Sequence, residues 1–113
     1  MLNVHLYMVQ RISALIMAPL TLGHIAVMIY AVQGGLSAEE ILGRTQGSAF
    51  WFLFYGGFVV AVSVHAAIGL RVIVHEHTGL KDAGLSAFTW GTALVLFALG
   101  ARAVWAVTAG GGA

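Results

Sequence analysis

The sequence has no cysteine, a single proline and few charges, with five Lys or Arg and four Asp or Glu among 113 residues. Without cysteine there are no disulfides, thiolate zinc sites, cysteine-held iron–sulfur clusters or covalent haem attachment through Cys-x-x-Cys-His, which leaves histidine as the metal ligand to consider. The charged fraction is 8%, whereas a soluble domain carries about 25%, so a water-solvated surface is excluded. A net charge of +1 with scattered signs forms neither a basic stripe nor an acidic tail, which excludes nucleic-acid binding. What is present is apolar mass: 60% AVILMFWYC, 15 glycines and a mean hydropathy of +0.95. The solvent is therefore a bilayer, and at about 20 residues per crossing the length admits three or four helical spans in one domain. No basic region precedes the first apolar stretch and no small-residue cleavage site interrupts Met1-Leu2-Asn3-Val4-His5, so the N-terminus is expected to be retained.

An ionisable residue at mid-bilayer costs at least about 2.5 kcal/mol, so the gaps between charges mark the spans. Residues 12–32 form the first, 21 residues without a charge, about 31 Å of helix against a hydrocarbon core of about 30 Å. Pro19 lies inside it, tolerable where neighbouring helices satisfy the freed carbonyl, and Gly34-Gly35 ends it. Residues 36–46 carry Glu39, Glu40 and Arg44, and Ser37 with Glu40 has the spacing of a capping box for a short interfacial helix. Residues 49–74 form the second span, opening with the aromatics Phe50, Trp51, Phe52, Phe54 and Tyr55, residues suited to a membrane–water interface. His75 to Asp82 reads as a polar loop, and residues 85–107 form the third span, with Trp90, Arg102 and Trp105 toward its ends. The tail from Ala109 to Ala113 has no side chains to order it. The expected fold is all-α: an integral membrane protein with three transmembrane helices in a single domain, 1–113, without internal repeats. Arg11, Arg71 and Lys81 flank the spans on one side, Arg44 and Arg102 on the other, which favours a cytoplasmic N-terminus.

Two of the five histidines, His24 and His65, fall inside spans. An imidazole there needs a partner because no water is available. One reading is a helix-to-helix hydrogen bond. The other is haem b, which takes axial imidazole, needs no cysteine and buries an apolar ring between helices. Gly23 beside His24, and Ala66, Ala67 and Gly69 after His65, leave room for a flat macrocycle. Taking Arg11 and Arg71 as marks of one interface, the two histidines lie roughly 20 and 9 Å deep, so they cannot clamp one haem between them. His65 is expected to pair with a histidine from another chain, and His24 to serve a second haem or none. An obligate membrane partner follows.

Two segments carry a resemblance to a known family. Gln10-Arg11-Ile12-Ser13-Ala14 stands where the cytochrome b membrane-anchor subunit of succinate dehydrogenase (succinate:quinone oxidoreductase, respiratory complex II) and its fumarate reductase relatives open their first span with His-Arg-x-Ser/Thr-Gly. His65-Ala66-Ala67-Ile68-Gly69-Leu70-Arg71, followed by Glu76, resembles the end of their second span, His-x-x-x-Gly-Ile-Arg and then an acid. The resemblance covers essentially the whole chain. Gln10 and Ala14 depart from the family's histidine and glycine, which bears on a propionate hydrogen bond.

The resemblance implies a three-span half of a two-subunit helical bundle in a bacterial inner (cytoplasmic) membrane. It anchors a flavoprotein subunit and an iron–sulfur subunit beside a second membrane-anchor subunit, and forms part of the quinone-reduction site. FAD and the iron–sulfur clusters belong to those partners, and this chain alone is not expected to be active. His65 aligns with the axial ligand of a haem b shared with the second anchor. Arg11 and Ser13 align with residues near the quinone and the haem propionates, and Arg71 can act similarly; for both arginines the plain alternative is snorkelling to the interface. Tyr7 stands where some members have a pocket serine, its alternative being an interfacial tyrosine. Glu76, with His75 and His77, can relay protons to a reduced quinone or belong to a solvated loop. His24 matches the first-span histidine of two-haem members, giving one haem or two. Rival readings are a cytochrome b subunit of another membrane dehydrogenase or hydrogenase, and a haem-free anchor or small transporter.

Overall fold

A computed structural model describes residues 3–109; the start Met1-Leu2 and the tail from Gly110 lie outside the described residues. Four helices follow one another: α1 (Val4–Gly34), α2 (Ala38–Thr45), α3 (Ala49–Thr78) and α4 (Asp82–Thr108). There is no strand among the described residues. α1, α3 and α4 are long and apolar enough to cross a membrane, as the charge gaps predict, and each runs beyond its apolar stretch. α1 starts at Val4 because Asn3 caps it, its side-chain oxygen accepting from the Leu6 N–H at 2.8 Å. Nothing between Val4 and Arg11 breaks a helix, so Tyr7, Gln10 and Arg11 become helical positions. α1 ends at Gly35, where φ is 119°, a value that favours glycine.

The polar segment after the second span differs from its expected form as a loop. α3 continues through His75, Glu76 and His77 to Thr78 and stops only at Gly79, whose left-handed φ of 73° and N–H to the His75 carbonyl close it. Polar residues do not themselves end a helix; the glycine does. Between the first two spans Ser37 caps α2, accepting from the Glu40 N–H and donating to Glu40 Oε1, so the acid meets the cap's hydroxyl. Thr45 at the end of α2 bonds to the Val107 carbonyl at 2.6 Å, and the Gly47 N–H to the Thr108 carbonyl at 2.7 Å. These contacts seat α2 on the end of α4.

α3 lies between α1 and α4 and makes most of the interhelical contact. The interior is small and rich in hydroxyls: Ala61, Ala67, Ile68, Leu85 and Val104 are buried together with Ser13, Thr45, Ser63, Thr89 and Thr108. The large side chains face outward, with Leu15 72% and Leu53 70% exposed. That distribution suits lipid, where large apolar groups lose nothing by facing the solvent and small residues let helices approach. Gly100 of α4 lies close against Val59 of α3, since a Cβ there would stand 2.5 Å from Val59 Cγ1. Gly100→Val is therefore expected to destabilise the bundle by about 1–3 kcal/mol through overpacking. Gly57→Ala, whose added Cβ meets nothing within 4 Å, is expected to leave it unchanged; detergent-titrated unfolding of both variants checks the pair.

Candidate functional site

His65 sits a little past the middle of α3, half-buried, facing α1. Its Nδ1 lies 3.2 Å from Ser13 Oγ, and the Ser13 hydroxyl also reaches the Gln10 carbonyl at 2.9 Å. Ser13 is 6% exposed, enclosed in the α1–α3 contact. His65 Nε2 has no hydrogen-bond partner among the described residues. One turn along α3, Gly69 leaves space for the Gln10 side chain, whose Nε2 would lie 3.7 Å from a Cβ at that position. The Gln10 amide oxygen is buried without a hydrogen-bond partner, a costly state in an apolar medium. The segments Gln10–Ser13 and His65–Gly69, far apart in sequence, thus form one contact.

Arg11 and Tyr7 are neighbours one helical turn apart on the exposed side of α1. Arg11 Nη1 donates to the Tyr7 hydroxyl at 3.4 Å, and its guanidinium carbon stands 5.8 Å from the Tyr7 ring centroid. The Tyr7 oxygen accepts that bond, so its own O–H and the remaining guanidinium N–H groups are left as donors on an exposed side of α1. Arg71 takes a different direction, donating to Thr89 Oγ1 at 3.1 Å, while Thr89, fully buried, donates to the Leu85 carbonyl. Arg71 therefore ties α3 to α4. Glu76 is exposed in the last turn of α3, about 16 Å along the helix from His65. His75 and His77 each direct Nδ1 at a backbone carbonyl, of Leu80 at 2.8 Å and Ile73 at 2.9 Å; a carbonyl only accepts, so both rings donate there.

His24 lies elsewhere. Counted from Ser13 it is eleven residues further along α1, about 16 Å, so it and His65 occupy different levels. Its ring packs against Phe58 and Tyr55, with centroids 5.3 and 6.2 Å away, and makes no hydrogen bond to another described residue. Two cavities of about 650 and 290 Å³ open beside it. The larger is bounded by Tyr30, Arg44, Trp51 and Tyr55. Arg44 is fixed by a 2.8 Å bond to the Gly35 carbonyl and stands 5.5 Å from the Tyr30 centroid.

Sequence reading did not find the partnership of Thr89 with Arg71 or the place of Arg44 beside His24. Neither has a local signature: Thr89 is one threonine in an apolar run, and Arg44 belongs to an interfacial turn. No group of three or more His, Asp or Glu able to hold a metal ion occurs among the described residues.

The family model for the succinate dehydrogenase/fumarate reductase transmembrane subunit matches residues 1–101. No curated protein and no solved structure matches the chain. The matched segment takes in the Gln10–Ser13 and His65–Arg71 segments, all of α1, α2 and α3, and most of α4. Three apolar helices, a hydroxyl-lined interior and this match lead to one conclusion: the chain belongs to the succinate dehydrogenase/fumarate reductase transmembrane subunit family.

Proposed function

We propose that this chain is a haem b-binding membrane anchor of a succinate:quinone oxidoreductase in a bacterial inner membrane, with its N-terminus on the cytoplasmic side. It holds the flavoprotein and iron–sulfur subunits to the bilayer beside a second membrane-anchor subunit, and contributes to the quinone-reduction site. The observation that carries this reading is His65: half-buried in a long apolar helix, held at Nδ1 by Ser13, with Nε2 free of any partner among the described residues. Axial ligation needs an unprotonated, accessible imidazole nitrogen on a ring held by its other nitrogen. The small residues Ala66, Ala67 and Gly69 beside it suit the close approach of a flat macrocycle. Haem b, when bound, supplies a one-electron store beside the quinone.

The quinone end is built on Tyr7 and Arg11. Their side chains touch on an exposed side of α1, which suits hydrogen bonding to a quinone carbonyl oxygen, and the guanidinium supplies the charge-assisted bond. Glu76, exposed in the last turn of α3, serves proton entry from water. Arg71 supports the site by holding α3 to α4, and six residues beyond His65 its positive charge would suit a haem carboxylate. A specific observation favours a second haem: His24 is an imidazole within an apolar span without a hydrogen bond to another described residue, beside a 650 Å³ cavity that Arg44 also lines.

Haem per covalent flavin in the purified complex tests the ligand assignment. The wild type is expected to carry two haems, His65→Leu and His24→Leu one each; a haem content unchanged by His65→Leu overturns the His65 assignment. For the quinone end, Arg11→Leu is expected to raise KM for quinone about 10–100-fold, the loss of a charge-assisted bond of about 1.5–3 kcal/mol. Tyr7→Phe is expected to raise it about 2–10-fold, from about 0.5–1.5 kcal/mol. Dye reduction at the hydrophilic subunits serves as the control that neither change should move.

A further inference from the structure

We infer that Ser13 is a positioning residue for His65, its hydroxyl fixing the imidazole in the tautomer that leaves the lone pair on Nε2. The inference rests on the reading of His65 as an axial ligand and goes beyond it, because it separates Ser13 from the quinone-contacting role that resemblance to the family implies.

Counting hydrogens carries the argument. Ser13 Oγ has one hydrogen and two neighbours within bonding distance, the Gln10 carbonyl at 2.9 Å and His65 Nδ1 at 3.2 Å. A carbonyl accepts only, so the contact with Gln10 uses the hydroxyl hydrogen and turns an oxygen lone pair toward His65. The contact with His65 is then completed by an Nδ1–H donor. A neutral imidazole carries one hydrogen, so Nε2 keeps its lone pair. The opposite arrangement, with Ser13 donating to Nδ1, leaves the hydroxyl's bond to Gln10 unmade. It also puts a hydrogen on Nε2, where no acceptor exists among the described residues. With Ser13 only 6% exposed, water cannot compensate. Both groups are held by rigid elements, Ser13 by its own helix carbonyl and His65 by the packing of α1 on α3.

The effect on the ligand is twofold. An acceptor on Nδ1–H holds the ring orientation and raises the electron-donating power of Nε2, which favours the oxidised iron and lowers the reduction potential. Removing the acceptor is expected to raise the potential and loosen haem by roughly 10–100-fold, the usual effect of losing such a partner.

The test uses the assembled complex with Ser13→Ala, Ser13→Thr and, as reference, His65→Leu. Ser13→Ala is expected to raise the haem midpoint potential and speed haem loss to an apoprotein acceptor while KM for quinone stays at the wild-type value; Ser13→Thr, which keeps the hydroxyl, is expected to restore both haem properties. A Ser13→Ala complex with wild-type potential and haem retention but a raised quinone KM overturns the proposal and leaves His65 ligation intact. Nitrogen-15 spectra of histidine-labelled, haem-depleted complex, with the His65 signal identified by its loss in His65→Leu, give a readout independent of haem. A hydrogen on Nδ1 in the wild type, redistributed in Ser13→Ala, is the expected result; a hydrogen on Nε2 in the wild type overturns it. A haem content in His65→Leu equal to that of the wild type instead refutes the ligand reading itself, and the nitrogen spectra then still decide the tautomer.

Discussion

In hydrocarbon, a polar group that lacks a partner inside the protein lacks one altogether, and the arrangement of α1, α3 and α4 follows from that constraint. Leucine and phenylalanine gain little by packing against one another when lipid tails are equally apolar, so they face outward. The interior is left to groups that gain by meeting: alanine and glycine, which allow close approach, and serine and threonine, which find acceptors. Ser13, Thr89 and Thr108 all bond to a carbonyl of their own helix. A hydroxyl already satisfied by its own helix can then offer its oxygen to another element at no loss of donor. Arg71 uses the Thr89 oxygen in this way, and His65 Nδ1 has the same relation to Ser13.

The same constraint explains why α3 is the middle helix. It contributes small residues at Ala61, Ser63 and Ala67 to the interior and offers His65 toward α1 and Arg71 toward α4. Its two polar tethers point to opposite neighbours and lie six residues apart. At the other end, α2 uses the last carbonyls of α4, groups that a helix terminus cannot satisfy internally, through Thr45 and Gly47. The short interfacial helix is thereby part of the bundle's closure.

Much of this was legible in the sequence because a bilayer imposes few rules. Charge gaps identify three spans, and the spacing of Ser37 and Glu40 identifies α2. The end of α1 at Gly34-Gly35 was legible, whereas that of α3 was not: His75, Glu76 and His77 look like a loop by polarity and are helical in fact, and Gly79 stops the helix. Polarity reports depth in the membrane; backbone freedom decides where a helix ends. In the candidate site, counting residues places His24 and His65 at different levels but puts them about 11 Å apart, whereas the contact of His65 with Ser13 makes the separation about 16 Å, because Arg11 and Arg71 are not level. The direction of each side chain around the helix does not follow from depth. That is why Arg71 turns to Thr89 rather than toward Arg11, and why Ser13 is enclosed while Arg11, two residues earlier, is exposed.

On the proposed function, the two levels carry a further consequence. A chain whose intramembrane histidines lie about 16 Å apart along the bundle cannot ligate one iron twice, and each ring leaves a nitrogen without a partner among the described residues. An imidazole nitrogen without a partner is costly in lipid, and under the proposed function each level is completed from outside the chain. The exposed sides of α1 and α4 and the 650 Å³ cavity beside His24 are large enough to accept it. If haem fills both levels as proposed, such an anchor would gain its last polar contacts only on assembly, and cofactor insertion and subunit pairing would be coupled, the chain without its partner being incomplete at both levels.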